Sequence, residues 1–345
     1  LMKTVVVGAG GWGTALASIL VENHREVALY VRNPELAATL RRERENVPYL
    51  PGVPLPVNLQ IADHLAPALV EVKLLVLATP SHGIRAAARS LAGLLPPDCV
   101  VVSAAKGLEV GSCLRMTEVV AQEIPSLAGR IAALSGPNHA EEVGRKNPSA
   151  SVVGCADPAL AEFIQDIFMT SYFRVYANHD VIGVELGGAL KNVIALAAGI
   201  GDGLGFGDNS KAALMTRGLA EITRLGMASG ADAATFSGLS GLGDLIATCT
   251  SRHSRNRRAG LEIAKGRSIA EIQADSGMVI EGVRATAAAR QLAQSLGVEM
   301  PITEALHQVL YQGASPRLAV TDLMTRGKKH ETEKMAFPSS VKHWG

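Results

Sequence analysis

The sequence predicts an α/β protein, a Rossmann-type doubly wound sheet followed by an all-helical domain. Three observations predict it. Short β-branched runs alternate with helical patterns through the first half of the chain. The turn Gly8-Ala9-Gly10-Gly11-Trp12-Gly13 follows the first of those runs and opens a helix. Beyond residue 181 strand signals stop, and Ala, Leu, Gly and Met recur at helical spacing.

The strands expected in order are 4–7, 27–31, 74–78, 100–103, 131–134 and 151–153, with a last one at 173–176. Their apolar runs are nearly continuous rather than alternating, which is how a parallel sheet covered on both faces is written. Helices are expected at 12–23, 34–44, 82–94 and 116–123. In the second half Leu214, Leu219, Ile222 and Leu225 mark one face of a further helix. The boundary is placed near 178–180, giving a dinucleotide-binding domain over 1–179, a helical substrate and catalytic domain over 180–327, and a polar tail over 328–345. The chain's 345 residues, 48% of them hydrophobic, suffice for two cores at roughly 150 residues per domain.

Charge and composition exclude several classes. Thirty-three basic against 32 acidic residues leave +1, so no global field draws the chain to nucleic acid or an anionic membrane. Aromatics are 4%, too few for single-strand stacking platforms. Cys99, Cys113, Cys155 and Cys249 are widely spaced without a C-x-x-C pair, so no metal site or disulfide framework is expected and a reduced cytoplasm fits. The uncharged run 4–21 imitates a signal peptide, but Gly8, Gly10, Gly11 and Gly13 interrupt it. A second uncharged run, 47–62, holds Pro48, Pro51, Pro54 and Pro56 and cannot cross a bilayer as a helix. No membrane insertion is expected.

The glycine turn carries the first chemistry. Gly8 permits a tight turn, Gly10 lets backbone approach a diphosphate, and Gly13 lets helix and sheet pack closely. The helix start then offers free N–H groups and a positive dipole end. At the end of the second strand a carboxylate would select NAD, whereas Arg32 stands there and no acid occurs from 27 to 33. NADPH is therefore favoured over NADH, the competing view being that Arg32 is a solvated surface residue.

The substrate chemistry gathers elsewhere. Lys191 lies in a helix otherwise made of apolar and small residues apart from Glu185 and Asn192. Desolvation there would make the amine a usable acid and base, the alternative being a lysine that snorkels to the rim. Gly187 and Gly188, one turn earlier, would leave room for a ligand. Lys106 follows the strand 100–103 and so projects from a carboxyl edge of the sheet, where open α/β folds bind ligands. Gly136-Pro137-Asn138-His139 reaches the same edge, with His139 open between ligand and turn residue. Arg252, Arg255, Arg257 and Arg258, with no acid among them and with Ser254 and Asn256 between, read as a local anion site or a solvated basic face.

Taken together these motifs resemble the NAD(P)-dependent glycerol-3-phosphate dehydrogenases of the bacterial biosynthetic type. The resemblance runs over residues 2–327, through GAGGWGTALA, Pro80-Ser-His82, Ala105-Lys106-Gly107, Ser135-Gly-Pro137, Leu190-Lys-Asn192, 201–211, Gly243-Asp-Leu245 and Ser254-Arg-Asn256. It implies a helical domain related to that of 6-phosphogluconate dehydrogenase. It also implies reversible reduction of dihydroxyacetone phosphate to sn-glycerol 3-phosphate with NAD or NADP, in the supply of glycerophospholipids. A homodimer is compatible with it.

Carried over by residue, the resemblance makes Lys191 the general acid/base and lets Lys106 contact both cofactor and substrate. Gly136, Asn138, Asp244, Ser254, Arg255 and Asn256 would meet the substrate, Arg255 and Asn256 at its phosphate. Trp12, Arg32, Tyr49, Ala140, Val279 and Glu281 match cofactor-contacting positions, and Arg255 is shared between ligands. Two positions depart from the pattern: Gly11 stands where Ser is usual, and Asn138 where Ser or Thr is usual. Domain closure over both ligands is expected to exclude water. A related β-hydroxyacid dehydrogenase, using the arginines for a carboxylate, and a non-catalytic NADP-binding protein with a basic patch are the competing functions.

Overall fold

The computed structural model describes residues 2–23, 26–276, 279–328 and 330–331. Two compact units divide between Glu185 and Leu186, inside the helix Val181–Gly203.

The first unit is built on eight strands: β1 Lys3–Val7, β2 Glu26–Tyr30, β3 Gln60–Ala62, β4 Val72–Leu77, β5 Val100–Ser103, β6 Ile131–Ser135, β7 Ser149–Gly154 and β8 Phe173–Asn178. Their spatial order is β3-β2-β1-β4-β5-β6-β7-β8. Side chains alternate between two apolar layers. Val6, Leu74, Val76 and Val102 enter one, while Val5, Val7, Leu75, Leu77 and Val101 enter the other. That two-sided burial is the physical cause of the continuous apolar runs. Strand order reverses at β1, with β2 and β3 added on one side and the parallel β4 and β5 on the other, which creates the crevice at the carboxyl ends where such sheets bind ligands.

The wholly parallel sheet expected from sequence is corrected at one junction: β6 pairs antiparallel with β7, in the register Leu134 to Val153. β7 and β8 are parallel and joined by the helix Pro158–Phe168, which is absent from the helices expected from sequence. Asp157 caps it, accepting from Ala159 N at 2.9 Å, and Pro158 occupies its first turn. The three-residue edge strand β3 was also missed. The helix expected over 82–94 is shorter, Ile84–Leu91, after a turn of 3₁₀ helix at Ser81–Gly83.

The second unit is largely helical, as composition predicts, with no strand among its described residues. The helix Val181–Gly203, most of which belongs to this unit, is 23 residues long, and 83% of its most apolar 18-residue stretch is buried inside the protein. Length and composition alone would let it cross a membrane; its burial marks a core helix. The helix Arg255–Ala264 crosses it where Gly199 and Gly260 lack side chains: a Cβ on Gly199 would lie 2.0 Å from Arg257 O. This close crossing fixes the start of the arginine helix against the helix bearing Lys191. Of the tail over 328–345, only Lys328, His330 and Glu331 are described, so its expected character lies otherwise outside the described residues.

Candidate active site

In the first unit β1 leads directly into Gly8, whose φ of +117° suits glycine. A Cβ there would meet the Ala78 carbonyl carbon at 2.8 Å, and one on Gly13 would lie 1.9 Å from Gly8 O. Both glycines are thus closed in by neighbouring backbone. Gly10 is the opposite case, with nothing within 4 Å of a Cβ position. An open face at the second glycine, ahead of the helix Gly11–Asn23, is a cradle that fits a diphosphate. Trp12 turns its indole toward Phe173, with ring centroids 6.4 Å apart, so its position at the helix start offers mainly backbone to a ligand.

Gly11 is closed as well. A Cβ there would meet Tyr49 O at 2.6 Å and Ala140 Cβ at 3.4 Å, which places both of those sequence-predicted residues beside the turn. Arg32 is exposed just past β2, before Asn33 caps the helix Pro34–Glu43. Asn46 was not anticipated. It is fully buried, and its Nδ2 donates to Ala9 O at 2.9 Å and to Thr14 Oγ1 at 2.8 Å.

Lys106 emerges beyond β5 and donates to Gly136 O at 2.8 Å and to Asn138 Oδ1 at 2.9 Å. Asn138 in turn donates to Ser151 Oγ at 2.6 Å. Asn138 therefore joins the Lys106 ammonium to β7. Gly136, at φ +134°, turns the chain where a Cβ would meet Ser151 Cα at 3.0 Å.

In the second unit Lys191 is buried, so the snorkelling alternative fails. Its ammonium donates to Asp244 Oδ1 and, at 2.7 Å, to Thr248 Oγ1. Thr248 Oγ1 donates to Asp244 O at 2.6 Å, and Asp244 itself is buried at the start of the helix Asp244–Thr250. Cys249, beside this pair in sequence, is pushed up to about 12 by burial and is not a thiolate at neutral pH. The expected ligand space at Gly187 is corrected. A Cβ there would lie 2.7 Å from Ser240 O, so the missing side chain admits the neighbouring backbone.

The arginine run is also divided. Arg257 binds Asp202, Nε to Oδ2 at 2.7 Å, and Lys211 meets the same carboxylate at 2.8 Å. Arg255 is exposed at the first position of its helix. Ser254 accepts from Arg257 N at 3.2 Å as the N-cap. Asn256 is buried and donates to Asn192 Oδ1 at 2.8 Å, while its own Oδ1 accepts from Gly282 N at 2.8 Å. That bond sets the first turn of the helix Glu281–Leu296, with half-buried Glu281 and Val279 at its start, against the start of the arginine helix. Among the described residues no group of three or more His, Cys, Asp or Glu could hold a metal.

A dinucleotide turn at a sheet switch point, followed by a helical unit with a buried lysine–carboxylate pair, defines a nicotinamide-dependent oxidoreductase. The comparisons narrow this. The N-terminal model of the NAD-dependent glycerol-3-phosphate dehydrogenases matches residues 3–161 and the C-terminal model 180–321, so the chain belongs to that family. It is 53% identical over 340 residues to a glycerol-3-phosphate dehydrogenase [NAD(P)+] of Pelotomaculum thermopropionicum, covering 98% of this chain and 97% of that one. Over 328 residues it is 54% identical to the enzyme of the same name from Moorella thermoacetica, covering 95% and 97%. The crystal structure of glycerol-3-phosphate dehydrogenase from Coxiella burnetii superposes with a TM-score of 0.89 at 37% identity, over 94% of this chain and 99% of that one.

Proposed function

We propose that this protein reversibly reduces dihydroxyacetone phosphate to sn-glycerol 3-phosphate in the cytoplasm, with Lys191 as general acid/base and NADPH as the preferred reductant. The observation that carries the role of Lys191 is its burial against Asp244 and Thr248, whose hydrogen bonds fix where the ammonium sits. Family membership supports the substrate.

When bound, the reduced nicotinamide supplies the hydride. The turn of Gly8, Gly10, Gly11 and Gly13 would hold the diphosphate through backbone N–H groups, with Trp12, Tyr49 and Ala140 lining it and Arg32 available for the phosphate on the adenosine ribose. Val279, Glu281 and Arg255 would supply the cofactor contacts of the second unit. Lys191 gives its proton to the carbonyl oxygen as the adjoining carbon becomes a C–H, and takes the hydroxyl proton in reverse. Asp244 and Thr248 keep the nitrogen aimed through that exchange.

Lys106, fixed by Gly136 O and Asn138 Oδ1, orients the carbonyl. Arg255 takes the phosphate, and Ser254 and Asn256, which order the helix start, complete the substrate contacts with Gly136, Asn138 and Asp244. Initial rates with dihydroxyacetone phosphate, set against a panel of keto acids and run with NADH and NADPH, test the reading. The expected result is turnover of the phosphorylated ketone, faster with NADPH. Preference for a keto acid would overturn it. Lys191→Ala is expected to lose turnover by at least roughly 10³ while retaining NADPH binding.

A further inference from the structure

We infer that Asn46, carried by the proline-rich segment after the second helix, is a positioning residue for cofactor binding, holding one peptide of the glycine turn so that its N–H faces the diphosphate. The inference rests on the proposed seating of the diphosphate on that turn.

The geometry follows from one peptide plane. All described peptide bonds are trans, so the carbonyl of Ala9 and the N–H of Gly10 point in opposite directions. Asn46 Nδ2 grips the Ala9 carbonyl at 2.9 Å from the protein interior. The Gly10 N–H is thereby turned the other way, and Gly10 is the glycine of the turn with an open face. A second bond, to Thr14 Oγ1 at 2.8 Å, ties the same amide to the first turn of the helix. One side chain thus locks the turn to the helix whose N–H groups would share the anion.

The segment bearing Asn46 is built to be rigid. Asn46 O accepts from Tyr49 N at 3.1 Å and Leu50 N at 2.7 Å, and Glu45 Oε1 accepts from Gly52 N at 2.7 Å. Arg44 Nη2 donates across the loop to Leu59 O at 3.0 Å, and Leu55 N donates to Arg44 O at 2.7 Å. The prolines that exclude a helix here give a stiff wall whose Tyr49 carbonyl abuts Gly11. Because Gly11 lacks a side-chain hydroxyl, backbone donors carry the diphosphate contact on this turn, and their aim matters more.

Asn46→Asp tests this. The carboxylate keeps the size of the amide but cannot donate; it opposes the Ala9 carbonyl and adds negative charge beside the diphosphate. The expected result is a rise of about tenfold or more in KM and in the equilibrium Kd for NADPH, read by fluorescence. At saturating NADPH, kcat and the KM for dihydroxyacetone phosphate should stay within about twofold. A merely structural role would move melting temperature and kcat together without that split. An unchanged NADPH KM and Kd, or equal losses in all parameters, overturns the assignment.

If Asn46→Asp does not fold, Asn46→Ser, too short to reach Ala9 O, is read by the same split and the same criteria. Gly10→Val separates this inference from the reading beneath it. If filling the open face leaves NADPH affinity intact, the seating of the diphosphate is wrong and the Asn46 assignment falls with it. If Gly10→Val weakens NADPH binding and Asn46→Asp does not, only the assignment of Asn46 falls.

Discussion

The ammonium of Lys191 and the carboxylate of Asp244 form a buried ion pair, and the hydroxyl of Thr248 touches both partners, accepting from Nζ at 2.7 Å and lying 3.3 Å from Asp244 Oδ1. Two charges removed from water hold each other only while both remain, so deleting one leaves the other uncompensated. The carboxylate therefore does two things: it compensates the charge of the buried ammonium, and it fixes the position from which the amine acts.

Asp244→Asn separates those effects. Without the neighbouring negative charge the buried ammonium gives up its proton more readily, and the fraction able to protonate a carbonyl falls at neutral pH. The expected outcome is a loss of kcat on the order of 10²–10³, an acid shift of the pH optimum for ketone reduction, and unchanged NADPH affinity. Thr248→Val, which keeps the charge pair, should lose much less. A pH profile that stays in place in Asp244→Asn would show that the carboxylate does not govern the proton on Lys191.

Glu221 gives a stability prediction. Burial pushes its carboxyl up to about 7, although it accepts from Ile302 N at 2.6 Å and Thr303 N at 3.3 Å at the start of the helix Pro301–Gln312. A raised pKa means that the folded state holds a proton which the unfolded chain releases near 4.5. Its contribution is fully present below that value and is lost as pH rises through 7. Glu221→Gln removes the titration. Relative to the unmodified protein it should gain roughly 3 kcal/mol between pH 4 and pH 8, measured by urea unfolding at each pH. A difference between the two proteins that does not vary with pH would place the titration elsewhere.

The layered sheet, the glycine turn and the helical second half were legible because each leaves a periodic or positional trace: Val5, Val6 and Val7 alternate between two buried layers, and so all read as apolar. Lys191 was legible because a charge inside an apolar helix is anomalous. Its partners were not, since Asp244 lies far along the chain and no local pattern announces an ion pair. The missed helix Pro158–Phe168 carried a usable signal in Asp157-Pro158. The β6–β7 reversal carried none, because strand direction is set by the path of the connection and not by the strand's own residues. Arg257 shows the limit of charge counting: its neighbours in sequence contain no acid, yet Asp202 reaches it from the helix Val181–Gly203.

That pairing predicts a role for Asp202. Its carboxylate holds Arg257 and Lys211 together, and Arg257 lies in the first turn of the helix that begins with exposed Arg255. In Asp202→Asn the two cations lose their shared counter-charge and the start of that helix loosens. The KM for dihydroxyacetone phosphate should rise by about five- to twentyfold, with NADPH affinity retained. A rise confined to the NADPH KM would instead assign this helix start to the cofactor.

Gly11→Ser would add the hydroxyl that the sequence resemblance leads one to expect at this position, and the structure predicts that it harms this protein. A Cβ at position 11 would stand 2.6 Å from Tyr49 O, a main-chain atom held by the Asn46 turn and unable to swing aside as a side-chain end would. Forcing it apart should cost about 1–3 kcal/mol of stability and shift the wall beside the diphosphate, raising the KM for NADPH. Gly11→Ala distinguishes the two contributions, because it introduces the Cβ without the hydroxyl. If crowding dominates, the alanine and serine variants are impaired alike, and Tyr49→Ala does not relieve either, since the obstructing atom is backbone. If the serine variant binds NADPH more tightly than the unmodified protein, the hydroxyl contact outweighs the steric conflict, and glycine at this position is a loss that the neighbouring loop merely tolerates.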